Sequence, residues 1–330
     1  MNIVRMRFKS AVRIGADQQG IGKEKTQEII HSDTVFSMLV NAYAEIVNNK
    51  NSEIESFIQS IEGLSSGFLF EEILEGKYVY YLPRPLLYPP NFLDSKFGLE
   101  RKKEHIKHYK DCFFIEYDEF LKWSSGRNID ITKLEKSSYK RLYTIRLRPH
   151  HVRDRLTNAT TIYHIGEMFL EQNSGIYFLV DSKDLEILDK VLHHASINGI
   201  GGRRCSLGSF EYKIDELDNI WKNIFAINGN GFIIISLFYP HENERDDFIT
   251  IKKDNIFAYE LIPRKGWIFS SVVPYQFKRK SCWMFSEGSV FGKKPNGSIV
   301  DVTPNAFSAH KIYRFGRCIS LPYRIYKEVH

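Results

Sequence analysis

Residues 197–212 read Ile-Asn-Gly-Ile-Gly-Gly-Arg-Arg-Cys-Ser-Leu-Gly-Ser-Phe-Glu-Tyr, so one loop holds four glycines beside the adjacent cations Arg203 and Arg204. Without Cβ atoms, Gly199, Gly201, Gly202 and Gly208 let an anion approach main-chain N–H groups, and the arginines add charge. That chemistry suits a nucleic-acid phosphate. A dinucleotide fingerprint must follow a strand and open a helix, and a Walker loop ends in Gly-Lys-Ser/Thr. Here the order is reversed. Leu185, Leu188, Val191, Leu192 and Ala195 predict a helix before the loop, with Ser182 as its cap, and Phe210, Tyr212 and Ile214 predict a strand after it. The competing reading is a helix end and turn at Asn198-Gly199, which accounts for one glycine of the four.

A second basic stretch, Arg153-Asp154-Arg155-Leu156-Thr157, lies between two strand patterns. It reads either as an ordinary polar loop or as a protruding hairpin whose Leu156 serves as an apolar wedge against stacked bases. His31 beside Asp33 is the best candidate for a metal-independent ribonuclease, which needs only a His and a few donors; helix capping by Ser32 and Asp33 explains the same residues. His105, His108, Asp111 and Cys112 have metal-ligand spacing on one helix face, but they sit within a run of charged residues that reads as a solvated helix. No nucleophile elbow, zinc-protease motif or phosphoryl-transfer motif is present.

The elements that must position these groups read as an α+β chain. Its 43% hydrophobic and 26% charged residues are those of a globular protein and argue against disordered and membrane classes, and a net charge of +6 favours a polyanionic partner without excluding an ordinary cytosolic enzyme. Aromatic residues at 14% suit both β-structure and base stacking. Four scattered cysteines without a Cys-x-x-Cys pair fit a reducing cytoplasm, and the N-terminus, with Arg5, Arg7 and Lys9 between apolar residues, does not read as a signal peptide.

Alternation over 3–9 predicts a first strand with a cationic open face. Ser32 caps a helix whose apolar face is Val35, Phe36, Leu39, Val40, Tyr43 and Ile46. Strands are expected at 68–73 and 78–82, then an insertion beginning at Pro83, a strand at 141–148, and a hairpin of 162–169 with 176–180 turning at Gln172-Asn173-Ser174-Gly175. After a boundary near Asn228-Gly229-Asn230-Gly231, about six strands follow, among them 232–238, 267–273 and 280–285.

In combination, the His31-to-Ser37 helix start, Arg153-to-Thr157 and the Gly199-to-Gly208 loop resemble the RAMP superfamily, most closely the fourth-subunit family of the Csm complex, the type III-A CRISPR effector. The resemblance extends to Tyr313-Arg314-Phe315-Gly316-Arg317 and spans most of the chain. It implies two ferredoxin-like (RRM-like) domains with antiparallel sheets: 1–215, carrying the glycine-rich loop and an insertion at about 83–160 with a protruding thumb hairpin, and a sheet-dominated 216–330. It implies no catalysis, no cofactor, and a cytoplasmic scaffold. The expected partners are the 5′ handle of the CRISPR RNA, the large polymerase-type subunit and a backbone RAMP subunit, with target RNA nearby and no membrane. On this reading RNA is met by Ser32, Asp33, Arg153, Arg155, Leu156, Thr157, Gly199, Gly201, Gly202, Arg203, Arg204, Ser206 and Gly208. The rival is a CRISPR-repeat endoribonuclease using His31.

Overall fold

The computed structural model describes residues 1–15, 26–91, 99–136, 138–200, 207–248, 256–268, 270, 272–273 and 276–326. The first half runs β1 (Asn2–Phe8), α1 (Ser32–Ile46), α2 (Asn51–Ser60), β2 (Ile61–Leu64), β3 (Phe68–Leu74) and β4 (Lys77–Pro83). Then come α3 (Leu99–Asp111), β5 (Phe114–Glu116), α4 (Tyr117–Ser124), α5 (Ile131–Lys136), β6 (Tyr143–Arg153) and β7 (Thr160–Leu170). β8 (Ser174–Ser182), α6 (Leu185–Asn198), β9 (Phe210–Glu216) and α7 (Asn219–Phe225) complete it. The second half holds β10 (Gly231–Ile234), α8 (Arg245–Phe248), β11 (Ile256–Ala258), β12 (Leu261–Arg264), β13 (Cys282–Phe285), β14 (Val290–Phe291), β15 (Ile299–Asp301), β16 (Tyr313–Phe315) and β17 (Ser320–Tyr323).

The architecture is mixed α/β with antiparallel sheets. The large sheet runs β5-β4-β3-β8-β1-β9, with β2 also on β8, and the smaller one β11-β14-β10-β17. Apolar residues at helical spacing on α1, namely Val35, Phe36, Leu39 and Ala42, are buried, and α1 packs against α6, which lies against β9. Below the large sheet, Tyr80, Tyr177 and Trp221 form a buried aromatic cluster with ring centroids 4.9–5.6 Å apart. Trp221 belongs to α7, so the chain leaving the large sheet closes the core of that sheet. One apolar core continues into the second half, where Ile233, Phe315, Leu321 and Tyr323 join it. Among the described residues no helix is long and apolar enough to cross a membrane.

Packing corrects several expectations. β1 is a central strand, and its cationic face is neutralised: Arg5 is buried between Tyr80 Oη at 2.8 Å and Asp215 at 2.5 Å, Arg7 pairs with Glu72, and Lys9 pairs with Glu211. β7 pairs with β6 rather than β8, because both edges of β8 are taken by β1 and by β2 and β3. Residues 172–175 therefore turn between sheets. Ser182 does not cap α6; Asp184 does, its carboxylate accepting from the Ile187 N–H at 2.9 Å. Ser32 is the first helical residue of α1, not its cap. Its N–H donates to Ser66 Oγ at 2.8 Å and its Oγ accepts from the Leu237 N–H at 3.0 Å, so a helix start buried beneath the second half finds tertiary partners. In place of a strand at 267–273, the described residues show one bridge between Trp267 and Lys278.

Candidate nucleic-acid interface

The glycine loop leaves α6 at Gly199, whose φ of 78° ends the helix while its N–H still donates to Ala195 at 2.7 Å. Ile200 N–H then donates to the Gly208 carbonyl at 3.0 Å, pinching the loop shut, and the Ile200 and Leu207 side chains are buried on either side. A Cβ on Gly208 would stand 1.6 Å from the Ile200 carbonyl oxygen, and one on Gly199 2.5 Å from that of Leu207. These two glycines build the neck of the loop. Gly201, Gly202, Arg203, Arg204 and Ser206, expected at its tip, lie outside the described residues.

The second basic stretch caps a long hairpin. β6 and β7 pair without interruption from Tyr143↔Leu170 to Arg153↔Thr160. Asp154 organises the tip by accepting from the Leu156 and Thr157 N–H groups at 2.7 and 2.9 Å, and those bonds hold its carboxyl below the ordinary range. Arg153, Arg155 and Thr157 are exposed, and Leu156 is 94% exposed at the turn. The alternating pleat separates two surfaces. One carries exposed Ile145, Leu147 and Ile162; the other carries Arg146, whose guanidinium lies 5.0 Å from the Phe169 ring, and Arg148, 3.7 Å from Glu167.

A short segment that carries no sequence motif joins the two features. Ser10 Oγ and the Ala11 carbonyl both accept from Gly208 N–H at 2.9 Å, while Val12 and Met168 exchange two 2.8 Å backbone bonds. Residues 10–12 thus tie the loop neck directly to the hairpin base. Only their place just beyond β1, beside Ser209 across from β9, hints at this: Lys9 N–H donates to Ser209 at 2.9 Å.

Ser32 and Asp33, also expected at RNA, stand apart from this interface and are fully buried. Asp33 accepts from Arg264 Nε and Nη2 at 3.0 and 2.8 Å and also from Arg314, clamping α1 to the second half. Burial pushes its carboxyl up, but the two guanidiniums outweigh that and hold it far below the carboxylate range. His31 is likewise internal: its Nδ1 lies 2.9 Å from Glu287 Oε1, which also accepts from Ser66 Oγ. Against the cost of burial, His31 and Ser66 hold the Glu287 carboxyl below its usual value. The imidazole on which the endoribonuclease reading rests is thus buried and held by Glu287. Among the described residues no three His, Cys, Asp or Glu side chains gather as metal ligands; Cys112 is buried, its Sγ 3.1 Å from the Phe114 carbonyl.

Residues 227–323 match the CRISPR Csm4 C-terminal domain. Across nearly the whole chain, the CRISPR system Cms protein Csm4 of Methanocaldococcus jannaschii is 25% identical, covering 91% of this chain and 92% of its own. The Thermococcus onnurineus protein of the same name is 27% identical, over 84% and 86%. Along nearly its whole length the chain is similar to Csm4 proteins, and its C-terminal part matches the Csm4 C-terminal domain. Solved Csm4 folds agree. The Csm3-Csm4 subcomplex of the type III-A CRISPR-Cas interference complex contains a chain with a TM-score of 0.62 and 20% identity, covering 98% of this chain and all of that one. The Csm1-Csm4 cassette in complex with cA4 gives a TM-score of 0.61 at 17% identity, over 99% and 100%. Csm4-type sequence and Csm4-type fold therefore coincide along the chain.

Proposed function

We propose that this chain is a non-catalytic, RNA-binding and scaffolding subunit of a type III-A CRISPR interference complex in the cytoplasm. In this reading the loop at 199–208 grips the 5′ handle of the CRISPR RNA, with Arg203, Arg204 and Ser206 contacting phosphate, and the hairpin tip at Arg153, Arg155, Leu156 and Thr157 meets the guide-target duplex beside it. The observation that supports it is the bonding of residues 10–12 to both Gly208 and Met168, which ties the neck of the glycine loop to the base of the hairpin. Phosphate contacts fix position and an apolar wedge works on stacked bases, so the two devices are complementary.

Two ferredoxin-like domains, divided near residues 216–231, form the scaffold. In support, β3-β8-β1-β9 and β11-β14-β10-β17 both follow the order second, third, first, fourth along the chain, and the Csm4 C-terminal match begins at residue 227. In the second domain the described part of the first helix is α8, and the ribbon strands β15 and β16 lie between β14 and β17. The proposed docking partners are the large subunit and the first backbone subunit, in keeping with relatives solved alongside Csm1 and Csm3.

Affinity purification of the tagged chain from cells bearing the whole locus tests this reading. It should recover processed guide RNA with a common 5′ handle together with a large and a backbone subunit. Recovery of the chain alone, or of RNA cleaved in a manner abolished by His31→Ala, would overturn it.

A further inference from the structure

The ribbon formed by β12 and β13 has two unlike faces. Arg264 and Met284 are buried, Arg264 on Asp33, while Leu261, Pro263 and Trp283 alternate with them on the outward side of the pleat. Trp283 is directly opposite Pro263 and is 61% exposed. Beyond β12 the two chains stay together: Arg279 N–H donates to the Gly266 carbonyl at 2.9 Å and Ile268 N–H to that of Phe277 at 2.8 Å. Between those bonds Trp267 bridges Lys278; it is 52% exposed, with the Lys278 ammonium 5.3 Å from its ring.

Turning the ribbon over to bury the indoles would pull Arg264 from Asp33, so they stay in water unless a partner covers them. The charges beside them select the kind of partner. Among the described residues from 256 to 285 the exposed cations are Lys265, Lys278 and Lys280, and the one acid is Glu260, at the end of the ribbon away from Trp267. Lys280 N–H donates to the Val302 carbonyl at 2.9 Å, and the neighbouring Asp301 is already paired with Lys311 at 2.9 Å. The cores of protein interfaces combine aromatics with Arg and are depleted in Lys. Aromatic faces interleaved with cations are instead what single-stranded nucleic acid meets, bases stacking on the rings while the charges track its backbone.

We propose that the outward side of this ribbon binds single-stranded RNA, with bases stacked on Trp283 and Trp267 and phosphates met by Lys265, Lys278 and Lys280. The site is separate from the loop at 199–208. Arg264 anchors the ribbon at Asp33 near the start of α1, whereas Asn198, at the loop neck, bonds Glu45 near its end at 2.8 Å. From Asp33 to Glu45 the helix climbs 45 − 33 = 12 steps of about 1.5 Å, which sets the two anchors about 18 Å apart. The proposal therefore stands whether or not the loop holds a handle.

The test is a fluorescence-anisotropy titration of the purified full chain with a labelled oligouridine of about ten nucleotides, which carries no handle. Trp283→Ala should weaken binding about fivefold or more, and Trp283→Phe, which keeps a stacking face, should restore most of the loss. Lys265→Gln, Lys278→Gln and Lys280→Gln together should lower the log-log salt slope by about 0.7 for each phosphate no longer neutralised. Arg203→Ala/Arg204→Ala should leave this binding in place. Melting curves establish that the variants fold, and the lysine variant decides the matter if Trp283→Ala does not fold. The proposal is overturned by no binding of the oligouridine, by equal binding of an RNA duplex, or by an affinity indifferent to the Trp283 and lysine variants. Binding lost only in the Arg203/Arg204 variant would assign the RNA to the loop and also overturns it. So does a Trp283→Ala chain that keeps its RNA affinity but releases a subunit co-purifying with the parent, which would make the ribbon a protein interface.

Discussion

Asp33 and Arg264 stand 231 positions apart in the chain, yet Oδ1 of one and Nη2 of the other are 2.8 Å apart. With Arg314 on the second oxygen and no exposure to solvent, the contact joins α1 to two separate ribbons of the second half. Removing the carboxylate strands two guanidiniums. Asp33→Asn should therefore lose about 3–5 kcal/mol of stability, the scale for breaking a buried ion pair from one side. Urea unfolding measures it, and a variant as stable as the parent would show that the clamp contributes nothing.

The same clamp sets the acid limit. In the folded chain Asp33 sits far below, and Glu287 below, their ordinary carboxylate values. Near pH 4 the unfolded chain, with Asp at about 3.9 and Glu at about 4.3, binds protons that the folded chain does not. Their stabilisation is complete above that region and falls away as pH drops through the folded values. Melting midpoints taken from pH 7 to pH 3 should decline on the acid side, and Asp33→Asn should flatten the decline.

At the loop, neck and tip should separate. Gly208→Ala forces a side chain onto the Ile200 carbonyl at a φ of 77°, so it should cost more than about 1 kcal/mol and weaken handle-RNA binding indirectly. Arg203→Ala/Arg204→Ala should leave the melting curve unchanged and lower the log-log salt slope of RNA binding by about 0.7 for each phosphate no longer neutralised. Filter-binding titrations across several salt concentrations, with melting curves alongside, distinguish the two. Unchanged affinity in the arginine variant would reduce the loop to a turn.

The hairpin tip should be silent in stability and audible in target binding. Leu156→Ala at a 94% exposed site should change stability by no more than about 0.5 kcal/mol. Deleting Arg153 to Thr157 should spare the co-purifying guide RNA and weaken capture of a complementary target. Loss of the guide RNA itself would assign the tip to the handle instead.

Much of the fold was legible where spacing alone determines burial. Val35, Phe36 and Leu39 announce the inner face of α1, and the alternation of β1 and β9 announces strands, because each face meets apolar neighbours whichever strands supply them. Legibility failed where the partner was remote. Nothing near Arg5 signals Asp215, and nothing near Asp33 signals Arg264 or Arg314, so residues suited to RNA or to a helix cap turned out to be internal ties. The glycine loop was visible as a cluster, but which glycines form its neck depends on Ile200 meeting Gly208. Ser10 to Val12, which unite the interface, bear no distinguishing residue type at all.

The uninterrupted pairing of β6 with β7 has a metrical consequence. Eleven residues in each strand, at about 3.4 Å apiece, make a rod of roughly 37 Å between Tyr143 and the turn that bears Leu156. Because the strands begin and end as partners, two residues added to each would carry Leu156 outward by about 7 Å with every side chain still on its own surface, whereas one added to each would turn the outer part over. The hairpin is thus a graduated rule, marked in steps of two residues, that sets how far from the loop its tip can act.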